Sequence, residues 1–452
     1  MEREICGNVE TPECPWYNSK NKIISVVIND GVTNIAEEAF SNCSRLTSVT
    51  IPKSVTTIGK RAFYNCQSLS SVEMESGVDI IDEEAFSRCS DLRSITIPKS
   101  VTTIGKRAFY NCQSLSSVEM KSGVDIIGEE AFSRCSDLRR ITIPESVTNI
   151  GTKAFYGCGS LELALINAKN IGDLAFGGCN VLRIIEIGKN VENISINAFD
   201  ECRHLEKIHV SPDNQNYSNI DGVLLNKEKT IIMKFPAGKD AISYTVPSGV
   251  TKIGDEAFKD CVRLEKIELP NGVTEIGENA FIGCTGLRTI RIPKTVTKIG
   301  DNAFKDCPIA KIVTDKDAKY VTEFAKTNSI DYTEDDFSAN VSYSTTNLTN
   351  QNVTVIIDAS AGITQLPNGW NYKESSENKS ITKIYTENGT ENVTIKNEKG
   401  TEIVLNISVN NIDKTAPVIT KEINLASDKK SCYVKLTSNK EIQKVNRMDI
   451  VR

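Results

Sequence analysis

The chain has 452 residues, of which 39% are hydrophobic and 25% charged, as in a soluble globular protein with a sizeable core. Its length allows about two to four domains. The net charge of -6 argues against a general affinity for nucleic acid or anionic lipid. No apolar run approaches the roughly 18 residues of a membrane helix, so membrane insertion of this chain is not expected.

The N-terminal segment, residues 1–21, is polar. It has no apolar stretch after its charged start, so no signal peptide is expected in this chain. No lipidation or anchoring motif is visible at the C-terminus. Cys6 and Cys14 lie close together in the N-terminal segment, and a disulfide between them is predicted if the protein is exported.

A repeat organises the residues that follow. The dipeptide Ala-Phe, followed three residues later by Cys, occurs eleven times, mostly at intervals of 23 residues. One interval is 21 and another is 59, which is 23 plus an insertion of 36. The phenylalanines are Phe40, Phe63, Phe86, Phe109, Phe132, Phe155, Phe176, Phe199, Phe258, Phe281 and Phe304.

The frame around each phenylalanine is Leu-x-x-Ile-x-Ile-Pro-x-x-Val-x-x-Ile-Gly-x-x-Ala-Phe-x-x-Cys. Ile-x-Ile predicts a short strand that a proline such as Pro98 ends, because proline lacks the N–H that continues a ladder. Gly105 is expected to permit a tight turn, and Ala-Phe-x-x-Cys to form a short helical turn. One unit cannot close its own core, so neighbours must stack. The sequence predicts a mainly β leucine-rich-repeat solenoid with short helical turns, of about a dozen 23-residue coils roughly 4.8 Å apart.

This frame resembles the BspA-like leucine-rich repeats of bacterial surface proteins and of some mucosal parasites. The resemblance covers about Lys22 to Tyr332 and predicts a solenoid at residues 22–334. The segment Asn216–Lys239 is similar to a hairpin that these proteins place between coils, which implies an insertion at about 211–246.

A closing helix is expected at about residues 315–327, where the sequence resembles the end of these solenoids. The helical pattern is also visible without the family, since Ala318, Val321, Phe324 and Ala325 fall on one face. Such a helix would cover the open end of the stack.

Charged pairs before Ala-Phe alternate in sign from coil to coil. Opposite charges on adjacent coils are worth a few tenths of a kcal/mol each, and like charges would cost about as much. The repetition of Ser54–Met74 at Ser100–Met120, two coils later, preserves the alternation. Pairing between coils is the favoured interpretation, and ligand binding the alternative. The pairs are Glu37-Glu38, Lys60-Arg61, Glu83-Glu84, Lys106-Arg107 and Glu129-Glu130.

The residues between the two apolar strand positions are expected to face the concave side, where solenoids commonly bind partners. We call them the strand stripe. They carry no aromatic anchor and little arginine, so a solvated Thr–Glu ladder is the favoured interpretation and ligand binding the alternative. The strand stripe consists of Thr50, Glu73, Thr96, Glu119, Thr142, Leu165, Glu186, His209, Thr245, Glu268 and Arg291.

Eleven of the fourteen cysteines fall at one repeat position and are predicted to form a single file of buried thiols. No histidine or C-x-x-C lies beside them, so no zinc site and no cofactor is predicted. Cys432 has no evident partner, and nothing orients His204 or His209 for catalysis. The eleven are Cys43, Cys66, Cys89, Cys112, Cys135, Cys158, Cys179, Cys202, Cys261, Cys284 and Cys307.

Beyond Tyr332, alternating apolar residues predict a small antiparallel β-sandwich at residues 335–412, with Trp370 as its core aromatic. This region resembles the bacterial immunoglobulin-like modules of Gram-positive surface proteins, in which an Asp-x-Thr-Ala-Pro linker introduces the next copy. Asp413–Pro417 matches that linker, and only 35 residues follow it. Residues 413–452 are therefore expected to be a partial second module, in a chain truncated relative to its relatives.

The resemblances imply an extracellular or cell-surface location. The favoured function is a non-enzymatic interaction or adhesion module, expected to be monomeric, that binds a protein or glycan ligand on a host or microbial surface. A surface glycan or peptide hydrolase is one alternative, with Glu73 and Glu119 as acid and base. An enclosed cleft holding paired carboxylates would favour it. A structural spacer without a specific ligand is the other alternative.

Overall fold

The computed structural model describes residues 4–5, 16–335, 337, 339–345, 349, 351–374, 376–397, 402–412, 419–425 and 432–438. The chain divides into two units, Met1–Asp335 and Asp336–Arg452. Among the described residues, helix is confined to the α-helix Lys319–Thr327 and the 3-10 helix Tyr17–Lys22. The architecture is therefore mainly β, as the repeat predicts.

Each coil of the first unit contributes a strand of three to five residues, which we call a long strand. Pro98 follows the strand Ser94–Ile97 directly, as predicted for a residue that cannot continue a ladder. The long strands pair in parallel within four sheets of three, two, four and five strands. They are Ser25–Val27, Ser48–Ile51, Ser71–Met74; Ser94–Ile97, Ser117–Met120; Arg140–Ile143, Leu163–Ile166, Ile184–Ile187, Lys207–Val210; and Ser243–Thr245, Lys266–Glu268, Thr289–Ile292, Lys311–Asp315, Tyr332–Asp335.

A second set of strands, each two residues long, lies just before the frame position that Gly105 occupies in its coil. These short strands form a nine-stranded parallel sheet. Three more, Lys252–Ile253, Glu275–Ile276 and Lys298–Ile299, continue on Ile231–Lys234 in a later sheet. The first nine are Glu4–Ile5, Asn34–Ile35, Thr57–Ile58, Ile80–Ile81, Thr103–Ile104, Ile126–Ile127, Asn149–Ile150, Asn170–Ile171 and Asn193–Ile194.

The stack reaches further toward the N-terminus than the expected start at residue 22. Glu4–Ile5 pairs in parallel with Asn34–Ile35, and the Trp16 ring stacks on the Phe40 ring with centroids 5.2 Å apart. The Trp16 indole N–H also donates to the Ala39 carbonyl at 2.8 Å. Trp16 therefore occupies the place that phenylalanine takes in the later coils.

The Ala-Phe-x-x-Cys segments form successive turns rather than a regular helix. In the coil of Phe109, the residues two before and two after the ring, Arg107 and Asn111, have φ of 53° and 59°. The N–H groups of all three residues donate to carbonyls of the next coil at 2.7–2.8 Å. These bonds offset the cost of a left-handed backbone at non-glycine residues.

Phenylalanine rings and cysteine thiols form the spine of the first unit. From Trp16 to Phe176, consecutive rings are stacked within 7° of parallel, with centroids 5.0–5.4 Å apart. The predicted file of thiols is confirmed: ten of the eleven cysteines are buried and Cys307 is half-buried. From Cys66 onward, each thiol also donates to the phenylalanine carbonyl of the preceding coil, as Cys112 does to Phe86 at 3.1 Å.

The glycine of the frame has a different role from the one expected. Gly105 does not adopt a positive φ. A Cβ there would lie 2.6 Å from the carbonyl carbon of Asp82 and 2.8 Å from the Glu83 nitrogen, both in the preceding coil. At Gly105 itself, the preceding coil lies too close for a Cβ unless its backbone shifts.

The 36-residue insertion contains three antiparallel strands, Tyr217–Ile220, Val223–Asn226 and Ile231–Lys234. It also contains a repeat residue that the Ala-Phe pattern misses. Phe235 lies 23 residues before Phe258 and stacks on it at 5.1 Å. The first part of the insertion lies between the coil of Phe199 and the coil of Phe235. We call the junction between these two coils the seam.

The spine is interrupted at the seam. The Phe199 ring is tilted by 35° against Phe176, with centroids 6.1 Å apart, and the hydrophobic core divides into two clusters there. A buried ion network takes the place of continued ring stacking. The Asp200 carboxylate lies 3.0 Å from Lys234 Nζ and 2.5 Å from Lys259 Nζ.

The closing helix predicted at about 315–327 is the α-helix Lys319–Thr327. Ala318, Val321 and Ala325 are buried and Phe324 packs against the core, as predicted. Beyond the helix, Tyr332–Asp335 pairs in parallel with Lys311–Asp315 and adds a last long strand.

The second unit contains antiparallel sheets. One has the order Ala339–Tyr343, Val353–Ala359, Ser380–Tyr385, Asn371–Tyr372; another pairs Gly389–Lys396 with Glu402–Val409. Both contribute to one hydrophobic core, in which Trp370 is buried as predicted. Ile419–Leu425 and Cys432–Ser438 form a separate antiparallel pair.

Thiol accessibility tests the spine. Burial raises the pKa of the Cys112 thiol to about 12, so the reactive thiolate is scarce near neutral pH. We expect the spine cysteines of the native chain to react with iodoacetamide only as fast as the coils open. Peptide mass spectrometry can measure each site, with denatured protein as the fully reactive control. Rapid native labelling of Cys89, Cys112 or Cys135 would contradict a dry spine.

Candidate interaction surfaces

The long strands bring most of the strand stripe into register. Thr50 pairs with Glu73, and Thr96 with Glu119, directly across neighbouring strands. A longer run joins Thr142, Leu165, Glu186 and His209, and a third joins Thr245, Glu268 and Arg291. The ladder is interrupted after Glu73 and after Glu119, and the insertion separates His209 from Thr245.

The members of the strand stripe differ in exposure. Glu73, Thr96, Glu119, Thr142 and Glu186 are exposed, and Thr50, Leu165, His209 and Thr245 are half-buried. Glu268 and Arg291 are buried, with 6% and 8% of their surface exposed. Arg291 pairs with the buried Asp315 at 2.6 Å. The solvent-facing part of the stripe therefore runs from Thr50 to Thr245.

One carboxylate of the exposed stripe, Glu119, has local partners. The Thr96 hydroxyl donates to Glu119 at 3.3 Å, and Lys121 forms an ion pair with Glu119. The hydrogen bond and charge of Lys121 lower the pKa of the Glu119 carboxyl, whereas a general acid needs a raised pKa. Neither Glu73 nor Glu119 lines the two cavities of the seam, which are formed by residues 194–260.

The predicted charge alternation is confirmed on the turn segments. Lys60 pairs with Glu83 and Lys106 with Glu129, both at 2.9 Å. Arg61 contacts Glu84 at 2.5 Å and Glu38 at 3.5 Å, so it joins coils on both sides. Arg107 contacts Glu130 at 2.5 Å, and this hydrogen bond lowers the pKa of the Glu130 carboxyl.

Tyrosine and arginine side chains form a second surface on the same turn segments. Tyr64, Arg88, Tyr110, Arg134 and Tyr156 occupy the two positions after the phenylalanine in five successive coils, and we call them the Tyr–Arg column. Arg88 lies 5.7 Å from the centre of the Tyr64 ring, and Arg134 lies 5.8 Å from that of Tyr110. Cation–π contact aligns these side chains across coils.

The cations two residues before the phenylalanine also contact the tyrosines of the Tyr–Arg column. Arg61 lies 5.0 Å from the Tyr64 ring centre, Arg107 lies 5.5 Å from Tyr110, and Lys153 lies 5.7 Å from Tyr156. The three tyrosines are half-buried, so their rings keep solvent-facing area. Exposed tyrosine and arginine are the residue types that dominate binding hot spots.

Sequence reasoning missed the Tyr–Arg column because it examined only the strand positions for aromatic anchors. The alternation is visible in the sequence, where Phe-Tyr-Asn-Cys at residues 63–66 and 109–112 alternates with Phe-Ser-Arg-Cys at residues 86–89 and 132–135. Stacking the repeat at one-coil intervals places each arginine beside the tyrosine of the preceding coil.

Cys6 and Cys14, the predicted disulfide pair, lie outside the described residues. Across the residues that the structure does describe, no group of three or more His, Cys, Asp or Glu is placed to hold a metal ion. Within that same part of the chain, every helix is too short or too polar to cross a membrane.

The repeat frame, the long strands and the spine are features of a known family of repeat proteins. The family model described as BspA type leucine rich repeat region matches in six copies, at residues 14–139, 102–221 and 251–376. These matches cover well over half of the sequence. The chain belongs to the BspA-type leucine-rich repeat family.

Solved structures similar to this BspA-type chain come from several bacteria. A leucine rich cell surface protein from Faecalibacterium prausnitzii A2-165 is 28% identical, over 69% of this chain and 87% of that one, with a TM-score of 0.46. A leucine-rich repeat protein from Bacteroides ovatus ATCC 8483 is 25% identical, over 69% and 92%, with a TM-score of 0.47. Comparison with curated proteins finds no match.

A charge reversal tests the pairing between coils of this BspA-type solenoid. Arg107→Glu replaces the contact with Glu130 by repulsion and adds a third acid beside Glu84. We expect the free energy of unfolding to fall by about 1–2 kcal/mol, because one partly exposed pair is lost and like charges become neighbours. Urea denaturation measures the change.

Arg93→Glu is the matched control, because it makes the same charge change at an exposed arginine outside the ion pairs described above, and serine occupies the equivalent position in both adjacent coils. The double variant Arg107→Glu/Glu130→Arg should recover part of the loss. Equal destabilisation by Arg107→Glu and Arg93→Glu would show that net charge, and not pairing between coils, sets the effect.

Proposed function

We propose that this chain is a non-enzymatic cell-surface interaction module that binds a protein or glycan ligand on a host or microbial surface. Membership of the BspA-type family supports an interaction role. The stacked coils supply a rigid surface on which side chains recur at fixed spacing. The second unit, an immunoglobulin-like module in this proposal, would act as a spacer.

The Tyr–Arg column is the observation that supports this role best. Rigid aromatic rings present contact area at low entropic cost, and arginine adds hydrogen-bond donors. Tyr64, Tyr110 and Tyr156 recur every second coil, roughly 10 Å apart at the strand spacing of a parallel sheet. Such a row suits an extended ligand that contacts several rings at once, either a peptide segment or a glycan chain.

The strand stripe remains a second candidate surface for the same role. Its exposed part contains short or flexible polar side chains, and Thr96 and Glu119 are already paired with each other. Ligand binding there would have to replace these local contacts. We therefore place the main binding site of the proposed module on the Tyr–Arg column.

A binding array tests both surfaces. Labelled chain is applied to an array of matrix proteins, mucins and glycans. The variant Tyr64→Ser/Tyr110→Ser/Tyr156→Ser is compared with the stripe variant Thr96→Ala/Glu119→Gln, and circular dichroism confirms that both fold. We expect the tyrosine variant to bind its ligand about tenfold to a hundredfold more weakly, because hot-spot rings are removed. The stripe variant should retain binding.

Loss of binding in the stripe variant alone would assign the site to the strand stripe and contradict our choice of surface. Absence of any captured ligand by the wild-type chain would contradict the interaction role and favour a structural spacer. Release of a cleaved product from an arrayed glycan or peptide would favour the hydrolase alternative.

A further inference from the structure

The seam contains a cavity of about 220 Å³. Apolar side chains form most of its wall, among them Phe199, Leu224 and Met233. Ile196, which is 45% exposed, also lines the cavity, so solvent can reach it. An apolar cavity of about 150 Å³ can hold benzene, so this one has room for one aromatic ring with a small substituent.

The cavity exists because the insertion interrupts the stack. Upstream of Phe199, each ring is covered by the ring of the next coil. At the seam, Lys234 occupies the position that alanine takes in other coils, and its Nζ is held by Asp200. Among the ring contacts of the described residues, Phe199 pairs with Phe176 alone, so its far side is not covered by another ring.

One backbone acceptor at the cavity lacks the partner that its equivalents have. In the short-strand sheet, the carbonyl of the second strand residue accepts an N–H from the next coil. Ile150 accepts from Gly172 at 2.9 Å, Ile171 from Ser195 at 2.9 Å, and Ile232 from Gly254 at 2.8 Å. At Ile194, which lines the cavity, no hydrogen bond to the carbonyl is made by any residue the structure describes.

Several other polar groups at the cavity are already paired. The Ile194 N–H donates to the Tyr217 hydroxyl at 3.1 Å, and that hydroxyl donates to the Glu192 carbonyl at 3.3 Å. Lys252 pairs with Glu275 at 3.1 Å, and the Ser195 hydroxyl donates to Asp173 at 3.0 Å. The Ile194 carbonyl differs from these groups, and from the equivalent carbonyls named above, in having no donor among the described residues.

We propose that the seam cavity binds a small aromatic molecule that carries one N–H or O–H donor, of the indole or phenol class. The ring packs against Phe199 in an offset arrangement and against the flexible thioether of Met233. The donor satisfies the Ile194 carbonyl, which an apolar ring would leave unpaired. This site is separate from the Tyr–Arg column and does not depend on the function proposed above.

Methionine NMR tests this proposal on the full chain. The protein is labelled with ¹³C at methionine methyl groups, Met233→Leu assigns the Met233 signal, and the sample is titrated with indole and then with p-cresol. We expect a saturable ring-current shift at Met233 and no shift at Met74 or Met120, which lie in other coils. Toluene, which lacks the hydroxyl of p-cresol, should bind about threefold to tenfold more weakly.

A blocking variant provides a second arm. Ile196→Trp should fill the cavity and abolish the shift, whereas Ile126→Trp, at a comparably exposed isoleucine of another coil, should leave binding intact. Thermal unfolding confirms that both variants fold, and the wild-type titration stands without them.

Several results would overturn the proposal. They are an unchanged Met233 signal at saturating indole, equal affinity for toluene and p-cresol, or unchanged binding in folded Ile196→Trp. A tryptophan-containing peptide that shifts Met233 when free indole does not would assign the cavity to a protein partner instead.

Discussion

The stacking of each coil on the next at about 5 Å is the constraint on which the rest of the first unit depends. At that spacing, every side chain has its own equivalents as nearest neighbours. Like placed beside like is favourable for phenylalanine rings, for thiols that donate to the preceding coil, and for asparagines such as Asn149, Asn170 and Asn193, which form a hydrogen-bonded ladder with 2.7 Å contacts. It is unfavourable for charges, and the sequence alternates them accordingly.

This constraint also explains why Ser54–Met74 returns after two coils, at Ser100–Met120, and not after one. A two-coil unit carries one acidic and one basic pair, so any number of copies keeps opposite charges adjacent. The same unit carries one Tyr coil and one Arg coil, so copying it extends the Tyr–Arg column. The proposed binding surface and the pairing of charges between coils are therefore products of a single repeat.

At the seam, the regular stacking of each coil on the next is interrupted. A lysine at the alanine position and an aspartate after Phe199 form a buried ion network, whose desolvation cost must be met by close pairing. The strand ladder ends at Asn193–Ile194, capped on its N–H by Tyr217. Phe199, which has no ring stacked on its far side, and Ile194 both line the larger of the two seam cavities described above.

The sequence predicts the features that follow from constant spacing and misses those that break it. The spine, the ion pairs and the closing helix follow from residue types at fixed intervals. Phe235 is missed because Lys234 and Gly238 replace the alanine and cysteine that mark the repeat, and Trp16 because no such residues flank it. The role of Gly105 depends on the distance between coils, which a single coil does not reveal.

A distance across several coils tests the stacking most directly. Spin labels on noncanonical amino acids at Gln67 and Asn180, equivalent exposed positions five coils apart, leave the native cysteines unlabelled. Pulsed electron paramagnetic resonance should give a narrow distribution centred at roughly 25 Å, five times the strand spacing. A broad distribution near the roughly 60 Å expected of a flexible chain of that length would contradict a continuous stack.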